Sequence, residues 1–157
     1  MESSYVLRTA DVADAGEIAR HRGLMFLDMG LVDDADAEKL IAASAPWFTD
    51  VMERGLYRAW VVERNGRIVG GGGVHLSEIG PLPGSFRVGR NAHIANVYTY
   101  AEHRKRGVGR ALLNEILRWC RESGIDQVTL TASNDGRALY LSLGFEPQPD
   151  GMLQKLS

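Results

Sequence analysis

One basic, glycine-containing segment constrains the fold of this chain more than any other feature: Arg104-Lys105-Arg106-Gly107-Val108-Gly109-Arg110. It follows residues 94–100, an apolar run rich in β-branched and aromatic residues that predicts a strand. The residues after it predict an amphipathic helix, because apolar side chains recur there at helical spacing: Val108, Leu112, Leu113, Ile116 and Cys120. The chain therefore passes from a strand, through a cationic glycine loop, into a helix.

The start of this helix has the properties of a phosphate-binding site. A helix N-terminus carries unpaired N–H groups and the positive end of the helix dipole. Glycine lacks a Cβ, so Gly107 and Gly109 let a pyrophosphate approach the backbone closely. Two other phosphate loops are excluded. A Walker loop needs Lys-Ser or Lys-Thr after its glycines, and a dinucleotide fingerprint needs glycine where Leu112 stands.

A second motif lies downstream, over residues 134–145. It follows a predicted strand at 127–132, and Ser133 or Asn134 is a natural N-cap for a short helix that ends at Gly144. A lone Gly-x-Gly is more simply a solvated loop, but the two motifs together resemble the GCN5-related N-acetyltransferase family. The residues that carry the resemblance are Arg104, Gly107, Gly109, Asn134, Ala138, Tyr140, Gly144 and Phe145.

The resemblance implies an α/β (α+β) fold: a mixed, mostly antiparallel, twisted sheet flanked by helices, with a central strand splayed for coenzyme A binding. The chain of 157 residues, 45% of them apolar, has the size of one domain with a sizeable core, so a single domain over 1–157 is expected. The N-terminal half agrees more loosely with the family, through an Arg8-Thr9-Ala10-Asp11 start, two helices and then strands.

Capping and turn residues predict the elements of this N-terminal half. Asp11 is the expected cap of a helix that ends near Met29. A second helix begins near Asp34, and Pro46 should interrupt it, with Ser44 capping a restart. The Asn65-Gly66 pair predicts a hairpin between strands at 58–64 and 67–70.

Two segments leave alternatives open. The run Gly70-Gly71-Gly72-Gly73 weakens an otherwise good strand, so either a ligand lies against this backbone or the glycines mark a β-bulge or tight strand crossing. The loop at 80–90, with its prolines and glycine, is either a substrate-side lid or a disordered connection.

The resemblance also implies an activity: transfer of an acetyl group from acetyl-CoA, the co-substrate, to a primary amine by direct attack in a ternary complex. The pantetheine arm would lie beside the backbone of the strand before the signature, and an N–H there would stabilise the oxyanion, with that of Thr99 as candidate. Asn134 would also contact the coenzyme. The expected coenzyme-binding residues are Val97, Tyr98, Thr99, Arg104, Lys105, Arg106, Gly107, Val108, Gly109, Arg110 and Asn134.

Tyr140 occupies the family's position for the acid that protonates the departing thiolate; the alternative is a core aromatic residue. His93 stands where the histone-modifying branch has a glutamate base, and alternation places it on one strand face with Ala95, Val97 and Thr99. An imidazole suits general-base catalysis, although a structural histidine is the alternative. Other candidates for the base are His75 and Glu78, while Asn96 could orient a water. No metal is expected.

Composition narrows the partners. A net charge of −2 gives no global field to recruit nucleic acid or an anionic membrane. The single cysteine, Cys120, is expected to be a buried inert thiol. The N-terminus shows no signal sequence and no apolar run approaches membrane-spanning length, so a cytoplasmic location is expected.

The sequence does not decide whether the acceptor is a small-molecule amine or a protein amine. It also leaves open whether the protein forms a homodimer. The candidates to line the acceptor site are Arg20, His21, Arg22, Phe26, Glu78 and the loop at 80–90. The alternative function is a coenzyme A or nucleotide sensor without catalysis, which would have no need of Tyr140.

Overall fold

The computed structural model describes residues 1–156. Its strands and helices are, in chain order, β1 (Tyr5–Thr9), α1 (Ala15–Asp28), α2 (Asp34–Glu53), β2 (Tyr57–Arg64), β3 (Arg67–Ile79), β4 (Gly89–Thr99), α3 (Val108–Glu122), β5 (Gln127–Leu130) and α4 (Arg137–Ser142). Short 3-10 turns at Val12–Asp14 and Ala101–His103 precede α1 and α3.

The five strands form one sheet in the order β1-β2-β3-β4-β5. Neighbours from β1 to β4 pair antiparallel, and β5 pairs parallel to β4. The predicted mixed, mostly antiparallel sheet flanked by helices is therefore confirmed, whereas the splay of a central strand stays a prediction. No helix within residues 1–156 combines the length and apolar character needed to cross a bilayer.

Helices cover both faces of the sheet. The apolar stripe of α3 packs on one face, where the predicted residues Val108, Leu112, Leu113, Ile116 and Cys120 are all buried. The first two helices cover the other face, where Ile18, Ala19, Phe48 and Val51 pack with Tyr57 and Ala59 of β2. Burial of each large apolar side chain contributes roughly 1.5–3 kcal/mol, so the helices on the two faces hold the sheet between them.

The predicted interruption at Pro46 is wrong. The second helix is continuous from Asp34 to Glu53, with Pro46 inside it and Ser44 buried rather than capping a restart. An internal proline costs a helix about 3 kcal/mol. Burial of Phe48 and Val51 in the following turn offsets a cost of this size. Asp11 caps the 3-10 turn that leads into α1, since its carboxylate accepts the Ala13 N–H at 2.9 Å, whereas the N-cap of α1 itself is Asp14.

The predicted hairpin is confirmed at Asn65-Gly66, whose φ angles of 53° and 75° suit a type I′ turn. Its second strand is much longer than predicted, because β3 continues through the glycine run to Ile79. The chain itself fills the space beside these glycines. A Cβ on Gly73 would lie 2.4 Å from the Tyr57 hydroxyl, and one on Gly70 would lie 2.7 Å from the Tyr98 carbonyl. Of the two interpretations, the structure supports the bulge or tight strand crossing, since the register between β3 and β4 also shifts between Gly71 and Gly73.

Gly73→Ala is therefore expected to destabilise the fold by about 1–3 kcal/mol, the usual cost of overpacking. Denaturant unfolding would measure the loss. Gly80→Ala is the matched control, because a Cβ there meets no atom within 4 Å. Equal stability of the two variants would contradict the packing described here.

A β-bulge in β4 determines which of its residues share a face. Gly71 pairs with Tyr98 and Gly73 with Ala95, so β4 holds one extra residue, and Asn96 adopts a φ of 63°. Beyond the bulge, Val97 packs into the core under α3, whereas Tyr98 stacks on His21 of α1. The prediction that His93 shares a face with Val97 and Thr99 is therefore wrong; the alternation that it assumed ends at the bulge. This strand also begins at Gly89, before the predicted start at 94.

Candidate active site

A cleft of about 460 Å³ opens where β4 extends beyond β5. The parallel register ends at Ile94 with Leu130, whereas β4 continues to Thr99. The cleft lies between this unpaired half of β4, the C-terminal half of α1 and the first turn of α4. Its walls include residues 93–99, Arg22, Arg104 and Tyr140.

The edge of β4 that faces the cleft offers free backbone groups. Tyr100 N–H donates to Val69 O across the ladder with β3, at 2.9 Å. Because N–H groups point to alternate sides along an antiparallel strand, the N–H of Thr99 points away from β3, toward the side on which β5 has ended. The Thr99 carbonyl on that side accepts from Arg104 Nε at 2.8 Å. A donor at the strand end is thus left for a ligand.

The first turn of α3 is free of side-chain caps. Gly107 is its N-cap, in the left-handed region at a φ of 83°, and no side chain bonds the first turn. Ala111 N–H is the first to bond within the helix, to Gly107 O, so the N–H groups of residues 108–110 have no intrahelical acceptor. Beside Gly109, a Cβ would meet only a methyl group of Leu139, 3.9 Å away. Backbone donors and open space therefore coincide at Gly109, whereas a Cβ on Gly107 would lie 3.0 Å from the Met1 nitrogen.

Two cations of the loop, Arg104 and Arg110, bond side chains of other helices, and in the part of the chain that the structure describes the other two do not. Arg104 is exposed but turns toward α1 and β4: it bonds Asp28 of α1 at 2.5 Å and lies over the Tyr98 ring. It thereby joins the loop to α1 and β4. Lys105 and Arg106 are exposed and make no ion pair within residues 1–156, so their charge is available to a ligand. Arg110 donates to the Ser142 hydroxyl of α4 at 3.2 Å.

Tyr140, on α4, lies half-buried in the wall of the cleft. Its ring packs edge-to-face on Phe145, with the centroids 6.0 Å apart. Burial raises the pKa of Tyr140 above its usual value, so the phenol stays protonated at neutral pH. The side chain thus has both a packing contact and access to the cleft.

The cap predicted for α4 is wrong in position. The N-cap is Gly136, and Ser133 serves the turn instead, its hydroxyl accepting the Gly136 N–H at 3.2 Å. Asn134 is exposed in this turn, while Ser133 and Asp135 on either side of it line the cleft. The coenzyme contact expected of Asn134 stays a prediction.

The candidates for the base lie in different places. His93 lines the cleft, and its Nδ1 lies 2.8 Å from the Thr129 hydroxyl of β5. Its cross-strand partner His75 is packed between the rings of Trp47 and Tyr57. Burial, with added repulsion from His93 and Arg22, lowers the pKa of His75 to about 4. Glu78 is exposed farther along β3.

No local sequence pattern shows how Arg22 and Asn96 are held. Arg22 Nη1 donates to the Asn96 side-chain oxygen at 2.8 Å, and Asn96 Nδ2 in turn donates to the Tyr57 hydroxyl at 3.2 Å. Nor did the sequence indicate Asp28, the partner of Arg104. These partners are between 39 and 76 residues apart in the chain, and no local pattern links them. No cluster of three His, Cys, Asp or Glu side chains suited to a metal occurs within residues 1–156.

The sequence of the chain matches that of a known family. The profile of the acetyltransferase (GNAT) family matches residues 17–145. The chain therefore belongs to the GNAT acetyltransferase family, and the resemblance inferred from the two motifs is confirmed.

Individual relatives agree. A GCN5-related N-acetyltransferase from Ralstonia eutropha is 27% identical, with a TM-score of 0.87 over 98% of this chain and 99% of its own. A predicted acetyltransferase from Clostridium acetobutylicum, whose crystal structure includes acetyl-CoA, is 24% identical, with a TM-score of 0.84 over 97% and 96% of the two chains. Human N-acetyltransferase 8 is 29% identical over 92 residues, which are 55% of this chain and 37% of that protein. The match thus spans little more than a third of this curated relative.

Proposed function

We propose that this protein is an N-acetyltransferase that transfers the acetyl group of acetyl-CoA to a primary amine, by direct attack within a ternary complex. One observation carries the proposal: a single cleft joins the open edge of β4 to Tyr140 and Arg104. The uncapped start of α3, at Gly107, follows Arg104 closely in the chain. Family membership, and the acetyl-CoA in the Clostridium acetobutylicum protein, support this choice of co-substrate.

The loop and strand fit the coenzyme in two parts. Its pyrophosphate would accept hydrogen bonds from the N–H groups at the start of α3, close to the backbone at Gly109, with Lys105 and Arg106 supplying charge. Its pantetheine arm would lie along Val97–Thr99, the part of β4 that β5 leaves unpaired. The thioester carbonyl would then meet the N–H of Thr99, which would stabilise the oxyanion.

The reaction requires one bond to form and one to break. The amine nitrogen attacks the thioester carbon to form the C–N bond, and the C–S bond breaks as the thiolate departs. Tyr140, kept protonated by burial, donates its proton to the sulfur. His93 accepts the proton of the amine, directly or through one water, at Nε2, in the tautomer whose Nδ1–H donates to the Thr129 hydroxyl.

A simple assay tests the activity. Free thiol should appear when the protein is mixed with acetyl-CoA and a panel of amines, and only when both are present. Acetyl-CoA bound without thiol release would favour the alternative of a non-catalytic coenzyme A sensor. Tyr140 disfavours that alternative, since a sensor needs no proton donor in the cleft. A homodimer and a cytoplasmic location stay predictions from the sequence.

His93→Gln is expected to remove the acidic limb from the pH profile of kcat/KM, because glutamine cannot take up the proton of the amine. The acceptor should be an amine that is already neutral at pH 7. An ordinary amine has a pKa of about 10, so its own deprotonation would also make kcat/KM rise with pH.

His75→Gln is the matched control for this profile. Since the pKa of His75 is about 4, a limb governed by His75 would lie near pH 4 and would survive in His93→Gln. A wild-type rate and profile in His93→Gln would make His93 structural, and the search for the base would move to His75 and Glu78.

A further inference from the structure

Arg22 is a half-buried cation in the wall of the cleft, next to the bulge of β4. Its guanidinium lies over the Phe26 ring, 4.9 Å from the centroid, and 6.0 Å from that of Trp47. Nη1 donates to Oδ1 of Asn96, and Asn96 is the residue at the centre of the bulge. The arginine is thus fixed in place by two rings and one amide.

The charge of Arg22 has no counter-charge within residues 1–156. It makes no ion pair with a carboxylate, whereas Arg104, the other arginine in the wall, is paired with Asp28. Apart from the bond to Asn96, its donors meet no acceptor from the described chain, and none of them is buried without a partner. They therefore face the open cleft. Burial also lowers the pKa of Arg22, the sign of a charge that the fold leaves uncompensated.

A guanidinium held in this way is suited to binding an oxyanion. Stacking on aromatic rings fixes its plane and leaves the N–H groups at its edge free. Those groups match a carboxylate in two parallel hydrogen bonds, and such charge-assisted pairs are roughly twice as strong as neutral ones. The binding gain is largest where water is partly excluded, as it is around this side chain.

We infer that Arg22 binds the carboxylate of the acceptor, and that the acceptor is a small amine of the amino-acid class. This inference rests on the proposed acetyl transfer. Asn96 links Arg22 directly to the strand whose end, at Thr99, would hold the thioester. A carboxylate on Arg22 therefore brings an amine on the neighbouring carbon close to that strand. The coenzyme phosphates lie elsewhere in the proposed complex, at the start of α3.

The test compares acceptors that differ in one group. Amino acids, their carboxamides and the matching aminoalkylphosphonates would be assayed with the wild type, Arg22→Gln and Arg22→Lys. The exposed Arg67→Gln is the matched control. We expect Arg22→Gln to lower kcat/KM at least about tenfold for amino acids and less than about twofold for carboxamides. Because the wild type and Arg22→Gln are assayed with the same acceptors, differences in amine reactivity cancel when their kcat/KM values are compared. Arg22→Lys should recover only part of the loss, since a lysine cannot form the bidentate pair.

Several outcomes would overturn the inference. Equal losses on both kinds of acceptor would show that Arg22 only positions the bulge through Asn96. A raised KM for acetyl-CoA alone would assign it to the coenzyme. Faster acetylation of the phosphonates would replace carboxylate by phosphate as the recognised group.

A separate measurement keeps this inference distinct from the proposed function. Calorimetric binding of amino acids to the protein saturated with coenzyme A does not depend on turnover. If no acceptor releases thiol but amino acids bind the wild type and not Arg22→Gln, acetyl transfer fails while the carboxylate site stands. If amines are acetylated but the carboxylate makes no difference, the activity stands and the carboxylate site fails.

Discussion

Tyr140→Phe is expected to lower turnover by roughly 10²–10⁴-fold, the usual contribution of general acid–base catalysis, and to leave acetyl-CoA binding almost unchanged. The substitution removes one hydroxyl and keeps the ring. The edge-to-face contact with Phe145 therefore survives, and the fold should too. The hydroxyl makes no hydrogen bond within residues 1–156, so its removal leaves no protein partner unsatisfied.

The loss should appear in kcat, because the departing sulfur becomes negative only as the C–S bond breaks. A thiol has a pKa of about 8.5, so the product at neutral pH is mainly the protonated thiol, and a proton donor at the sulfur assists its departure. The pKa of Tyr140 is raised by burial, which keeps the donor protonated throughout the neutral range. A single-turnover measurement would show whether the chemical step itself slows.

Tyr100→Phe is the matched control, because it also removes a phenol hydroxyl near the sheet. That hydroxyl donates to Glu17 at 2.8 Å, on the face opposite α3 and α4, and has no part in the proposed chemistry. Near-wild-type turnover in Tyr140→Phe, with chemistry limiting the rate, would leave Tyr140 as a packing residue.

Patterns that depend on neighbouring residues predicted much of this fold. The stripe from Val108 to Cys120 identified the buried face of α3 because helical spacing places those residues together. The Asn65-Gly66 pair predicted its hairpin because both residues tolerate a positive φ. The glycine loop was located correctly as the start of α3, since glycine at Gly107 permits the left-handed N-cap.

Features set by tertiary packing were not predicted. Pro46 is a local helix breaker, and only the burial of Phe48 and Val51 explains why α2 continues through it. The bulge at Asn96 carries no glycine to mark it, and its side chain is held by Arg22 and Tyr57 from distant elements. The missing counter-charge of Arg22 follows only from the fold, which places no carboxylate of residues 1–156 in an ion pair with it.

Gly109→Val is expected to weaken acetyl-CoA binding at least about tenfold, or about 1.4 kcal/mol. A branched side chain would project into the space that the proposed pyrophosphate site requires, and would hold the phosphate away from the free N–H groups of α3. The protein itself has room for the change, because the nearest atom to a Cβ at Gly109 is a Leu139 methyl 3.9 Å away. The substitution should therefore weaken acetyl-CoA binding without destabilising the fold.

Gly16→Val is the control that matches Gly109→Val. Gly16 also lies in the first turn of a helix, α1, and a Cβ there meets no atom within 4 Å. Both variants carry the same modest change in helix propensity, but only Gly109→Val alters the proposed site. Calorimetric titration with acetyl-CoA should give the wild-type affinity for Gly16→Val.

Thermal unfolding provides an independent measure of acetyl-CoA binding at the same site. A ligand that binds only the native state raises Tm by mass action, so acetyl-CoA should stabilise the wild type and Gly16→Val, and Gly109→Val much less. A nicotinamide dinucleotide at the same concentration should stabilise none of them, because the loop has Leu112 where a dinucleotide fingerprint needs glycine. Wild-type affinity in a folded Gly109→Val would mean that the pyrophosphate lies away from α3, and the loop cations would then need another role.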